Sequence, residues 1–357
     1  MLLTLFGSAA ALRVARTSAA SRAAVCLSAA ATPFTPNAPR DGGTISEPEA
    51  QWALANMLQR DVEIDTAELK ATVPTTFIRP APLADGPLVL FLHGADFSCL
   101  EWRLLLRPLL EAGVDCVAID WYSGGWTARP PLSAQIEQRG VAPWTAVREH
   151  LLAFWRQELG SRPLVLVGAS LGGAVALDVA TTNPEMVEKL ALIDAGGESF
   201  KAPPPDQVSA LAAPVLAVKG LFQGIQARCD LPHDAPRCRR GVPSDHRMPL
   251  CSVRLPDDQS RIVSLHRDQP GCYEASLLYL KAGSMARRVD QSTVKRVPQP
   301  TLVVWGSEDD ILPLSDAYAF QRDLPDCVGV REVEGSGHSP HLDNPEAVLT
   351  HLEDFVL

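Results

Sequence analysis

No apolar run in this chain approaches the roughly eighteen residues that cross a bilayer, so the sequence offers no spanning helix. Peripheral contact with lipid stays open. Basic residues do not dominate: 32 Lys and Arg stand against 42 Asp and Glu, a formal charge of −10, so no broad cationic face for a nucleic acid is expected. No internal repeat is visible. Eight cysteines are present, but none in the C-x-x-C spacing of common zinc sites. Asp, Glu and Lys are absent from the first forty residues, which hold Arg13, Arg16, Arg22 and Arg40, twelve alanines and scattered Ser and Thr. That composition fits an organelle transit peptide. Met1 to Phe6 also suits the apolar part of a secretory signal, though no basic residue precedes it, and a bipartite signal carries both features. A disordered alanine-rich tail is the plain alternative. Residues 1–45 are therefore expected to be targeting peptide and linker, with a chloroplast or plastid destination and mitochondrion or secretory pathway as alternatives.

What remains, 46–357, has the makings of a soluble globular protein: the chain of 357 residues is 46% apolar and 21% charged. Its centre is Pro163 to Ala176, PLVLVGASLGGAVA. The branched run Leu164 to Val167 predicts a buried strand, and Ala174 to Ala180 a helix. Between them, Gly168-Ala-Ser170-Leu-Gly172 has the G-x-S-x-G form of a nucleophile elbow. A strand that turns so sharply into a helix strains the serine backbone and admits only small residues two places either side. The turn lifts the Ser170 hydroxyl toward the helix N-terminus, where unpaired N–H groups can stabilise an oxyanion.

Around that elbow the pattern alternates strands and helices. A helix is predicted over Glu47 to Arg60 and two antiparallel edge strands over Asp61 to Arg79. Continuous apolar runs predict buried parallel strands at Pro87 to Leu92, Asp115 to Asp120, Leu190 to Ala195, Pro300 to Gly306 and Val328 to Val333. Helices are expected over Leu100 to Ala112 and Pro143 to Leu159. In the latter, Trp144, Val147, Leu151 and Phe154 form a core-facing stripe. The residues between Asp194 and Pro300 are too many for a loop, so an inserted lid is expected over 197–297. Its apolar members, Leu216, Leu221, Phe222 and Leu278, suggest a lipophilic cavity, although a lid must also be apolar to pack. Cys229, Cys238, Cys251 and Cys272, with His233 and His246, allow lid disulfides, free thiols or, with the wrong spacing, zinc; no metal and no cofactor is expected. Cys26, Cys99, Cys116 and Cys327 look unpaired.

The remaining chemistry sits at strand ends. His93-Gly94-Ala95-Asp96 follows one apolar run, and the Ala95 N–H is a candidate oxyanion donor alongside that of Leu171. The His93 ring is expected to shape its loop rather than to react, and with Trp121, Tyr122, Trp126 and Phe222 it is a candidate for the wall of a substrate pocket. Trp121, Tyr122 and Trp126 follow the next strand, at the edge where open α/β sheets bind ligands, and either line a pocket or pack under the lid. Past Gly306, Asp309 can turn inward to hold an imidazole, while Glu308 and Asp310 face solvent. His338, freed by Gly335 and Gly337, is the expected base, with His341 its rival.

The order Ser170, Asp309, His338 matches that of α/β-hydrolases. The chain resembles that superfamily. Ser98-Cys-Leu-Glu-Trp102, Pro108 to Gly113, Phe154-Trp155, Leu166 to Gly172, Val187 to Leu190 and Leu192-Ile-Asp194 resemble plastid members from plants and algae. The resemblance covers most of 86–357 and is weakest in the lid. It implies an α/β-hydrolase fold, with a mostly parallel sheet flanked by helices, and an ester-type hydrolase acting on a small, lipophilic ester through an acyl-enzyme. A serine at the elbow, where epoxide hydrolases and haloalkane dehalogenases use aspartate, points to acyl transfer. An acyltransferase on the same three residues, or a non-catalytic ligand-binding protein on a hydrolase scaffold, are the alternatives.

Overall fold

The computed structural model describes residues 30–37, 44–83, 86–128, 143–197 and 289–357, together with 259, 261–262, 265–272 and 275. Most of the expected targeting peptide, most of the lid, Phe222 and Cys229, Cys238 and Cys251 lie outside the described residues.

Nine strands form one sheet among the described residues. They are β1 (Thr32–Pro33), β2 (Met57–Asp65), β3 (Lys70–Ile78), β4 (Leu88–Leu92), β5 (Asp115–Ile119), β6 (Leu164–Ala169), β7 (Val187–Ile193), β8 (Thr301–Gly306) and β9 (Cys327–Val333), in the order β1-β2-β3-β5-β4-β6-β7-β8-β9. The first three pair antiparallel, and from β5 through β9 every pairing is parallel. The helices are α1 (Pro48–Ala55), α2 (Arg103–Glu111), α3 (Pro143–Gln157), α4 (Leu171–Thr182), α5 (Gln291–Val294), α6 (Ser315–Asp323), α7 (Pro340–Asp343) and α8 (Pro345–Val356). Among the described residues no helix is long and apolar enough to cross a membrane.

The buried strands are apolar on both faces because both faces are covered. Leu88, Leu90 and Leu92 of β4 meet Val147, Leu151 and Phe154 of α3 and the apolar residues of α4 on one side. Val89 and Phe91 meet Trp102 and Leu105, Leu106 and Leu109 of α2 on the other, where Val348, Leu352 and Phe355 of α8 also pack. Phe77 and Phe154 meet edge-on at 5.0 Å.

Two expectations give way. The helix predicted to Arg60 stops at Ala55, because from Met57 the chain pairs residue for residue with β3, from Met57 with Ile78 to Asp65 with Lys70. A full ladder of cross-strand contacts outweighs local helical pattern. The expected linker, which the sequence pattern puts at Pro33 to Pro39, also gives way at its start. Thr32 pairs with Gln59 and Pro33 with Leu58, so the outermost strand is β1, an edge position where proline costs no ladder bond. Arg103, wholly buried, further binds the segment before α1 through two bonds to the Glu47 carboxylate, 2.5 and 3.1 Å.

Strand order reverses at β4. The chain leaves β4 for β5 on one side, then returns to place β6 on the other. A crevice opens at the carboxyl ends of strands at such a switch point, and this is where the residues singled out by sequence converge.

Candidate active site

Ser170 is the residue between β6 and α4, with φ +48° and ψ −115°, a conformation that L-residues adopt only under restraint. The restraint is visible. The Ser170 N–H donates to Ile193 O at 3.0 Å, while Ser170 O accepts from Gly173 N at 3.1 Å and Gly196 N at 2.8 Å. A Cβ on Gly168 would lie 2.4 Å from Gly172 O, and one on Gly172 would lie 2.2 Å from Leu92 O. Both glycines are required by backbone packed against backbone, which brings the start of α4 directly over the end of β4.

His338 connects the three expected residues. Its Nε2 lies 3.0 Å from Ser170 Oγ and its Nδ1 2.8 Å from Asp309 Oδ2. Asp309 is fixed in turn: its Oδ1 accepts from Ile311 N at 2.8 Å and Leu312 N at 2.9 Å. Burial pushes the Asp309 carboxyl up, but the hydrogen bond and charge of His338 and the two amides outweigh it and hold the group below the ordinary carboxylate range. An ionised Asp309 accepts at Nδ1–H, which leaves Nε2 as the acceptor facing the serine hydroxyl. The loop carrying His338 crosses β8 so closely that a Cβ on Gly306 would lie 2.0 Å from Gly337 O.

The His93–Asp96 turn lies alongside. Gly94 is close enough to Ser170 that an added Cβ would sit 3.4 Å from the serine Cβ. Leu171, first residue of α4, carries one of the N–H groups that no helical carbonyl can reach. Leu171 thus follows Ser170 directly at the start of α4, and Ala95 follows Gly94, the residue that lies against Ser170. Glu308 and Asp310 are exposed, as expected. His341 does not approach Ser170. It is buried, with Nε2 3.0 Å from Glu101 Oε1 and its ring stacked on Trp102 at 4.8 Å.

The expected pocket residues are a correction. His93, Trp121, Tyr122 and Trp126 are each at most 3% exposed and pack inside the protein. His93 bonds Gly94 O through Nδ1 at 2.8 Å and stacks on Trp121, whose indole N–H donates to His93 O at 3.2 Å. Tyr122 meets His150 edge-on, and Trp126 contacts Phe34 and His266. Between packing and lining, these aromatics pack, because the loop that carries them folds back over the buried Asp120, which accepts from Cys99 N at 2.6 Å and Trp126 N at 2.8 Å. Cys99 and Cys116 are buried without disulfides, and burial is the main cause that raises both thiols.

Sequence reasoning passed over Glu101, whose Oε2 accepts from Gly94 N at 2.7 Å. It also passed over Asp194, which ends β7 as Asp309 follows β8; the same strand-end signal marks it. Among the described residues, two trios bring possible metal donors within 4.8 Å of one another: Asp96, His266 and Cys272, and Asp194, Asp309 and His338. In the first, Asp96 already pairs with Arg267 at 3.0 Å. In the second, the histidine already bridges serine and aspartate.

Comparison with known proteins agrees with this fold. The alpha/beta hydrolase family matches residues 89–351. The chain is 28% identical over 320 residues to alpha/beta hydrolase domain-containing protein VTE7 of Arabidopsis thaliana, covering 89% of this chain and 88% of that one. It is 30% identical over 277 residues to pimeloyl-[acyl-carrier protein] methyl ester esterase of Aromatoleum aromaticum, covering 76% and 98%. Among solved structures, a thermophilic esterase from Thermogutta terrifontis superposes with a TM-score of 0.60 at 19% identity, covering 83% of this chain and 97% of that one; the likeness shows the fold.

Proposed function

We propose, from the premise that this chain belongs to the alpha/beta hydrolase family, that it is a serine hydrolase of carboxylic esters. One observation carries the reading: a single imidazole lies within hydrogen-bond distance of both the strained elbow serine and a buried carboxylate. His338 Nε2 takes the Ser170 proton as Oγ attacks the ester carbonyl. Asp309 keeps Nδ1 protonated and stabilises the imidazolium. The N–H groups of Ala95 and Leu171 bind the oxyanion. His338 then protonates the departing alcohol, activates water and releases the acid. Losing one oxyanion donor costs about 3 kcal/mol in the barrier.

The ester is lipophilic in this reading, in keeping with the apolar residues of the expected lid. A relative named as a methyl ester esterase supports the ester class, and a plant relative, with the acid-free first forty residues, supports a plastid site of action.

A fluorophosphonate probe tests the nucleophile. The protein is expected to label and Ser170→Ala to lose both labelling and turnover of p-nitrophenyl esters. A Ser170→Ala protein that still hydrolyses them at the parent rate overturns the reading. Labelling with turnover only when an alcohol or thiol acceptor is added identifies an acyltransferase instead.

A further inference from the structure

One carboxyl group close to Ser170 has no part in the scheme above. Asp194 stands at the end of β7 with φ +40° and is wholly buried. Its backbone N–H donates to Val304 O at 3.0 Å, and its Oδ1 accepts from the Gly306 amide at 2.9 Å. Its Oδ2 is sealed from solvent and receives no hydrogen bond from any described donor. Close to this carboxyl is another acid. One side-chain oxygen of Asp194, one of Asp309 and a ring nitrogen of His338 all lie within 4.8 Å of one another. Asp309 is the member of the pair that ionises, since three donors converge on it, Ile311 N, Leu312 N and His338 Nδ1. Asp194 has a single amide donor. Two buried carboxylates at this distance cannot both carry charge.

We infer that Asp194 is a positioning residue of the triad, a neutral carboxylic acid whose hydroxyl donates to Asp309 while its other oxygen accepts from the Gly306 amide. The inference rests on the hydrolase reading of Ser170, His338 and Asp309. Burial foremost, then the negative charge of and hydrogen bond to Asp309 and the more distant charge of Asp343, favour the protonated form of Asp194, against the opposing Gly306 amide. The charged groups around Asp194 are therefore Asp309, Asp343 and, once protonated, His338.

Two consequences follow from a neutral donor at this place. It anchors β7 to the turn after β8, so the carboxylate that orients His338 cannot rotate. It also draws charge from Asp309, which makes Asp309 a weaker acceptor and keeps the imidazole easier to deprotonate. An ionised Asp194 would do the opposite and stabilise the imidazolium.

That difference in sign supplies the test. The rate of fluorophosphonate labelling is measured against pH for the full-length parent, Asp194→Val and Asp194→Asn. Valine removes the donor, so labelling is expected to slow by about tenfold and its acid limb to move up by about half a pH unit. Asparagine keeps one acceptor for Gly306 and one donor for Asp309, so it is expected to recover most of the loss and return the limb to the parent position. A limb that moves down in either variant means that a charge was removed, and overturns the inference, as does a limb unmoved by valine. If the valine protein does not fold, the near-isosteric asparagine protein decides alone: an unmoved limb supports a neutral Asp194 and a lowered one refutes it. Ser170→Ala in the same series separates the two claims, because only its continued labelling counts against the hydrolase reading.

Discussion

Two histidines on one short stretch of chain each pair with an acid, and the two pairs differ in what lies beyond them. His338 bonds Asp309 on one side and Ser170 on the other, with about a tenth of its side chain exposed to the crevice. His341 bonds Glu101 and is covered by Trp102, with 1% of its side chain exposed. Both are imidazoles held by carboxylates at hydrogen-bond distance. What separates them is the other end of each assembly. The first ends on a hydroxyl that can react; the second ends on the Gly94 amide, because Glu101 accepts from both. In the proposed scheme the first pair moves a proton, and the second ties the loop that carries His338 to the His93–Asp96 turn, where an oxyanion donor is proposed. A histidine beside an acid says nothing about chemistry until its second contact is known.

The strongest way to break this contrast is to remove each ring. His338→Ala is expected to cut turnover by roughly ten-thousandfold, the loss typical of disabling a base in such a triad, while leaving the unfolding midpoint in urea nearly unchanged. His341→Ala is expected to reverse the weighting, with a clear loss of stability and a modest loss of rate. If both variants lose activity equally at equal stability, the division of roles is wrong.

Gly306→Ala probes how the two loops are seated. The added methyl would lie 2.0 Å from Gly337 O, so the loop carrying His338 must move away from Asp309. A displacement of about 1 Å at a reacting group costs about a hundredfold in rate. The expected outcome is that fall in kcat with ester binding retained. A normal kcat would mean the loop has slack that the close backbone contact does not suggest.

Glu101→Ala should act through packing. It strips the Gly94 amide and the His341 ring of a shared acceptor in a sealed environment, at a cost of about 3 kcal/mol in unfolding free energy. Glu101→Gln keeps an acceptor for one of the two and is expected to lose less. Urea denaturation distinguishes them, and equal losses would show that the geometry at Gly94 is not what Glu101 supplies.

The pairing of Glu101 with His341 could not be found from the sequence, and the reason is physical. Their bond spans 240 positions, and the local pattern Leu100-Glu101-Trp102 reads as an ordinary helix start. The expected triad residues were legible because each obeys a local rule: glycines flank Ser170, a strand-ending glycine precedes Asp309, and glycines loosen the loop at His338. The parallel strands were legible because burial on both faces leaves no room for polar residues. The exact limits of α1 and β2 were not, since Met57 to Arg60 suit a helix until β3 is there to pair with. Trp121, Tyr122 and Trp126 misled because an aromatic run at a strand's carboxyl end fits a pocket and a packed loop equally. Asp194 carried the same strand-end signal as Asp309, and only the sheet order reveals that the two ends adjoin.

A third imidazole sharpens the contrast with the smallest effect at neutral pH. His150 is buried and its partner is a hydroxyl: Nε2 lies 2.7 Å from Thr75 Oγ1, and Thr75 itself donates to Val73 O at 2.8 Å. The threonine proton is thus committed, so His150 donates through Nε2–H, and the edge of the Tyr122 ring closes off its surroundings. With no acid to compensate, burial pushes the imidazole down to about 3 from an ordinary 6.5. The sign follows directly. Between those two values the unfolded chain takes up a proton that the folded protein refuses, so stability falls as pH drops through 6.5 and the fall ends near 3. Replacing His150 with glutamine keeps an N–H donor for Thr75 and removes the titration. Stability at neutral pH should change by about 1 kcal/mol or less, while the slope across the acid window becomes shallower by about 1.4 kcal/mol per pH unit, the worth of one proton. Other acid-sensitive groups are common to both proteins and cancel in the difference. Parallel stability curves for parent and variant would show that His150 is charged when folded, and that a buried imidazole in this protein does not need a carboxylate to hold its proton.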